Sequence, residues 1–159
     1  MESGKRVVLC LGSNVEPRMD YLDRAQAALC ALPETRFVAA SSTRETEPVD
    51  VPPEFSHMKF LNRVVVFETA LSPKAFAERM FAVEDTLGRV RGMRRNEPRT
   101  IDIDMIDYDG VISDDPALTL PHPRAACRDF VTGPVGELLD RHCGASAAWW
   151  TRALEGFGA

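Results

Sequence analysis

Short apolar runs rich in β-branched residues alternate with two stretches of helical apolar spacing, and this alternation restricts the fold more than any other feature of the chain. Val7–Leu11 has the continuous apolar character of a buried strand and ends at Gly12-Ser13-Asn14. Leu22, Ala25, Leu29 and Leu32 then recur at helical spacing, with Pro33 to end the helix. Arg36–Ser42 predicts a second strand, and a loop holding Pro48, Pro52 and Pro53 leads to a third, Phe60–Glu68. Ser72 is a good N-cap with Pro73 in the first helical position. Phe76, Met80, Val83 and Leu87 make the core stripe of this second helix, and Gly88 is placed to end it. Ile101–Tyr108 predicts a fourth strand, followed by a turn at Asp109-Gly110. The order β-α-β-β-α-β predicts an α+β domain with a ferredoxin-like βαββαβ core and a mainly antiparallel sheet flanked by helices. A C-terminal extension would add the Pro-bounded stretch Leu118–Pro123, a short helix near Pro134–Leu139 and a helix containing Trp149, Trp150 and Leu154.

The 159 residues are expected to form one domain, 1–159, large enough to bury a core without disulfides or a structural metal. A net charge of -5 argues against a general nucleic-acid binder, which needs excess Lys and Arg to displace counterions. Any cationic cluster must therefore be local. Cys10, Cys30, Cys127 and Cys143 form no CxxC pair, so neither a zinc site nor a disulfide framework is legible, and most are expected to be small core residues in a reducing cytosol. Val7–Leu11 is too short for a signal peptide, and no stretch reaches membrane-spanning length. These features predict a cytoplasmic protein with no membrane or nucleic-acid partner. A monomer is expected, since no long exposed apolar helix or heptad pattern offers a partner surface.

Thr100-Ile101-Asp102-Ile103-Asp104-Met105 carries the strongest local signal. Strand side chains alternate, so Asp102 and Asp104 share one face while Ile101, Ile103 and Met105 enter the other. Like charges ~4 Å apart at an intermediate dielectric repel by about 4 kcal/mol. A hard divalent cation relieves this, and Mg²⁺ characteristically takes one or two protein carboxylates together with phosphate oxygens. The bland alternative is a solvated acidic face on a half-exposed strand. Asp107 and Asp109 lie off the register and read as strand end and turn.

The preceding segment weighs against the bland alternative. Arg89, Arg91, Arg94, Arg95 and Arg99 place five guanidinium groups within eleven residues of an acidic chain. Arginine forks match phosphate oxygens bidentately and keep their charge at neutral pH. Gly88, Gly92 and Pro98 suggest a segment able to move and then be fixed at its end. A solvated basic loop pairing with acids such as Glu97 is the plain alternative. Feeding directly into a paired-carboxylate strand, the arginines instead resemble one half of a polyphosphate site, with metals as the other half.

Further residues suit a planar ligand. Phe60 and Asn62 share a face of the third strand, offering a ring for stacking and an amide with donors and acceptors. Phe130, close after Arg128, is a candidate second wall. His122, between Pro121 and Pro123, is a polar ring on a stiff segment, able to donate to phosphate. Taken singly, each also reads as a structural residue.

Taken in order, these motifs resemble the 6-hydroxymethyl-7,8-dihydropterin pyrophosphokinase family. The similarity is carried by Leu11-Gly12-Ser13-Asn14, Phe60-Leu61-Asn62, Gly88-Arg89-Val90-Arg91, Pro98-Arg99-Thr100-Ile101-Asp102-Ile103-Asp104, Leu120-Pro121-His122 and Arg128-Asp129-Phe130. The resemblance implies transfer of pyrophosphate from ATP to the dihydropterin in folate biosynthesis, with AMP released. It implies that Asp102 and Asp104 bind two Mg²⁺ ions, and that Arg89, Arg91, Arg99, His122 and Arg128 contact ATP. Of these, Arg89 and Arg99 would stabilise the transferring group. Phe60 and Phe130 would sandwich the pterin and Asn62 bond its edge, with Thr46, Val49 and Glu84 completing the substrate region. Asn96 stands where some members carry a Trp that helps seal the site, so closure is expected to differ, and Phe60 replaces a common Tyr, which keeps the stacking but removes a hydroxyl.

Two other readings are weaker. A nucleotidyltransferase carries its Gly-Ser and Asp-x-Asp elements close together, whereas Gly12 and Asp102 stand 90 residues apart here. A non-catalytic ferredoxin-like module has no use for carboxylates and arginines concentrated in one place. A family member acting on a related pterin is compatible with the same motifs.

Overall fold

A computed structural model describes residues 4–48, 51–89, 98–124 and 128–141. Its elements follow the expected order with one added strand, β3: β1 (Lys5–Ser13), α1 (Arg18–Cys30), β2 (Thr35–Ala40), β3 (Arg44–Thr46), β4 (Phe60–Thr69), α2 (Pro73–Thr86), β5 (Asp102–Tyr108) and α3 (Asp129–Arg141). The sheet order is β2-β4-β1-β5, with β3 paired to β4, and every pairing is antiparallel. Each of the two helical crossovers therefore skips one strand, which is the ferredoxin-like arrangement.

Alternation along the strands sorts the core into two faces. Val7, Leu9, Leu11, Val65, Phe67, Ile103 and Met105 face α1 and α2, where Leu22, Ala25, Leu29, Phe76 and Met80 complete one cluster. Val8, Cys10, Val64, Val66 and Ile106 face the other way and are covered by Val131, Val135 and Leu138 of α3. That second cover stops short of the strand ends carrying Gly12, Asn62 and Asp102. A register shift at Val8/Leu9 against β5 reverses the alternation after Ile106, so that Tyr108 joins the first cluster.

The ends of α2 are as its sequence predicts. Ser72 accepts the amide of Ala75, and Pro73 occupies the first turn. At the far end Gly88 takes φ +85, its amide bonds the Asp85 carbonyl, and Arg89 N–H bonds the Glu84 carbonyl. That pair of bonds is a Schellman termination. Asp109 and Gly110 both have positive φ, and Val111 N–H bonds the Tyr108 carbonyl, forming the expected turn; Asp107 accepts the Gly110 amide.

Two expectations need correction. The Pro-containing loop begins with β3, a three-residue strand of Arg, Glu and Thr whose composition carries no apolar alternation. The helix read as starting at Pro134 begins at Asp129, with Pro134 inside it. Burial of Val131 as well as Val135 and Leu138 on the sheet requires the extra turn. Of the cysteines described, Cys10 is buried but Cys30 is exposed. Cys127, Cys143 and the Trp149–Leu154 helix lie outside the described residues. No helix among the described residues is long and apolar enough to cross a membrane.

Candidate active site

The uncovered end of the second sheet face has a floor made by three strands. Gly12 of β1 pairs with Asn62 of β4 on one side and Asp102 of β5 on the other. One row along, Cys10 lies between Val64 and Asp104. A Cβ on Gly12 would come 3.0 Å from Asn62 Oδ1 and 3.6 Å from the Phe60 ring. The glycine keeps the space between amide and carboxylate open. Strand pleat thus brings Phe60, Asn62, Asp102 and Asp104 onto one face, with Asn62 buried and the other three half-buried, although β4 and β5 are not neighbours.

Arginines arrive from three directions. Arg89 follows the Schellman turn of α2 and pairs with both Glu84 and Asp102, its Nη1 lying 2.9 Å from Asp102 Oδ1. Arg99, entering β5, donates to Asp102 Oδ2 at 3.2 Å. Arg128, at the start of α3, approaches Asp104 Oδ2 at 3.9 Å. Each of the last two also covers an aromatic ring: Arg99 lies 5.5 Å from the Phe60 centroid and Arg128 5.5 Å from that of Phe130. The aromatic and ionic parts of the site are in contact. Asn62 donates to Thr46 Oγ1 at 2.6 Å, bringing β3 against the same edge.

The aspartates differ in environment. Burial, and then the charge of Asp102, pushes the Asp104 carboxyl up to about 7, with Arg128 opposing. Two partly exposed carboxylates on one face, one of them reluctant to ionise, make a donor set suited to a hard divalent cation that keeps most of its coordination for phosphate and water. Among the described residues no cluster of three or more acidic, His or Cys side chains gathers, so a closed protein cage is not formed. The residues present fit Mg²⁺ held by two carboxylates.

His122 is tied by its backbone to β5, its N–H donating to the Ile106 carbonyl at 2.8 Å. Its Nδ1 accepts the Arg124 amide at 3.2 Å. Burial, followed by the charge of Arg128, pushes its pKa down, and with Nδ1 accepting, the ring proton is assigned to Nε2.

Glu84 is placed otherwise than as a substrate contact. It is fully buried, accepts the Ile103 amide at 2.8 Å, and pairs with Arg89. With no exposed surface it holds the site from behind. Arg91, Val49 and Asn96 lie outside the described residues. Two residues carry more of the site than their sequence positions suggested. Gly12 clears the floor, and Asn14 accepts the Arg99 amide at 2.8 Å while donating its own to the Arg99 carbonyl at 3.3 Å. A Gly-Ser-Asn run closing a buried strand was the available signal for both.

Fold and site together define a ferredoxin-like domain whose sheet face gathers two carboxylates and three arginines beside two aromatic rings. The chain belongs to the 7,8-dihydro-6-hydroxymethylpterin-pyrophosphokinase family, whose sequence profile matches residues 8–140. It is 39% identical over 134 residues to the 2-amino-4-hydroxy-6-hydroxymethyldihydropteridine pyrophosphokinase of Methylorubrum extorquens, covering 84% of this chain and 82% of that protein. It is 37% identical to the Pseudomonas aeruginosa enzyme of the same name, over 84% and 80% of the two chains. A crystal structure of Plasmodium falciparum HPPK-DHPS with pterin and p-hydrobenzoate matches the fold with a TM-score of 0.61 at 14% identity. That match covers 86% of this chain and 41% of the longer one, so this chain spans under half of that protein.

Proposed function

We propose that this protein transfers the pyrophosphoryl group of ATP to the hydroxymethyl group of 6-hydroxymethyl-7,8-dihydropterin, releasing AMP, as a step in folate biosynthesis. Family membership supports the reaction class. The observation that carries the residue roles is the shared face of Phe60, Asn62, Asp102 and Asp104, with Arg99 over the ring and bonded to the carboxylate. The pterin ring stacks between Phe60 and Phe130, and Asn62, positioned by Thr46, bonds its edge. Arg89, Arg99 and Arg128, joined by Arg91, bind the phosphates by giving up part of their pairing with the aspartates, and His122 donates from Nε2. Arg89 and Arg99 stabilise the charge that builds on the transferring group. Two Mg²⁺ ions held by Asp102 and Asp104 would neutralise the phosphates and lower the pKa of the attacking hydroxyl.

The hydroxymethyl oxygen attacks the β-phosphorus, the bond from that phosphorus to the α-phosphate oxygen breaks, and AMP departs. Alignment and electrostatics supply most of the rate, as in phosphoryl transfer generally, and no side chain is assigned as general base. A product assay with ATP, Mg²⁺ and the dihydropterin tests the reading. AMP as coproduct is expected. ADP would mark a simple kinase, and absence of turnover would favour a binding module.

A further inference from the structure

Helix α1 opens on Arg18, at the end of the helix macrodipole where a cation is disfavoured. Its partners lie elsewhere. Nη1 is 2.9 Å from Glu45 Oε2 and donates to the Lys59 carbonyl at 3.1 Å, while Nε pairs with Glu16. Glu45 immediately precedes Thr46, which receives the Asn62 amide, and Lys59 immediately precedes Phe60. One guanidinium therefore ties the Glu45 side chain and the Lys59 backbone, beside the edge contact and the aromatic wall of the slot. By strand alternation Glu45 projects from the face opposite Thr46, so the clamp works from beneath and leaves the ligand face clear. β3 has three residues and, among the described residues, pairs with β4 alone, so few ladder bonds hold it.

We infer that Arg18 is a positioning residue for the substrate slot: by joining Glu45 to the Lys59 carbonyl it sets how closely Thr46 and Phe60 flank Asn62. The inference rests on the pterin reading for its kinetic consequence, though not for the clamp itself. Arg18 also lines an open cleft of about 320 Å³ with Glu45 and Lys59, so shortening it leaves no packed core to collapse.

The test uses Arg18→Gln, Glu45→Gln and the double variant, read by amide hydrogen exchange and steady-state kinetics. Arg18→Gln should speed exchange in residues 44–46 and 59–60 while α2 and β5 keep wild-type protection. It should raise the KM for the pterin about five-fold, the scale of one partly exposed ion pair, and leave kcat and the KM for ATP within about two-fold. The double variant should be little worse than Arg18→Gln alone. Unchanged exchange in the two segments, additive variants, or equal losses for both substrates would overturn the inference. A wild-type protein inactive on the pterin would overturn the functional reading instead, and exchange would still decide the clamp.

Discussion

The carboxylate of Glu84 accepts the backbone N–H of Ile103, the residue between Asp102 and Asp104, at 2.8 Å. A single buried acid on α2 thus holds β5 at the point from which both aspartates project, and also pairs with Arg89. Burial pushes its own carboxyl pKa up, opposed by the Ile103 amide and by Arg89. Glu84→Ala should destabilise the fold by about 2 kcal/mol, because the buried Ile103 amide loses its acceptor. It should lower kcat as well. Thermal unfolding beside steady-state kinetics checks both, and wild-type stability would show that the carboxylate is not needed there.

Asp102→Ala and Asp104→Ala are expected to abolish turnover with little loss of fold, since both side chains are partly exposed on the shared face. Relief of like-charge repulsion works in favour of the folded state of each variant. Near-normal rates in both would remove the metal assignment.

Asp104 also predicts a pH dependence. With its carboxyl pushed up to about 7, a proton must leave before a cation can bind fully. Mg²⁺ affinity should weaken by roughly ten-fold per pH unit below that value and level off above it. Calorimetric titration in buffers of different ionisation enthalpy measures the proton released. An affinity flat between about pH 5.5 and 8, a span that brackets a carboxyl raised this far above the ordinary Asp range, would contradict the assignment.

Arg99→Ala should reduce kcat more than it raises the KM for ATP. Its charge pairs with Asp102 at rest and is wanted most as charge builds on the transferring group. Equal effects on both would make Arg99 a plain binding residue.

Gly88→Ala tests the Schellman turn. A Cβ there meets nothing within 4 Å, so the cost is conformational, about 1 kcal/mol for a side chain at φ +85. The turn sets where Arg89 leaves the helix, so kcat should fall beyond what the stability loss explains. Unchanged kcat would mean that the ion pairs alone place Arg89.

What was legible in the chain was local or periodic. The apolar runs of β1, β4 and β5, the stripes of α1 and α2, the Ser72-Pro73 start and the Gly88 stop each follow from spacing and backbone chemistry carried by consecutive residues. The paired aspartates were legible for the same reason, because strand alternation alone puts positions 102 and 104 on one face. β3 was not legible: Arg44-Glu45-Thr46 has no apolar pattern, and its extended form comes from pairing with β4. The start of α3 was hidden behind Pro134, since burial of Val131 against the sheet outweighs the proline signal.

By itself, then, the sequence determined the order and type of the main elements and the acid and arginine groups available for chemistry. Tertiary structure alone decided which of them meet. Gly12 matters because Asn62 and Asp102 stand on either side of it, Asn14 because Arg99 passes beside it, and Glu84 because β5 packs over α2. Those relations depend on strand order and register, which arise only when distant apolar faces are buried together, and no stretch of neighbouring residues encodes them.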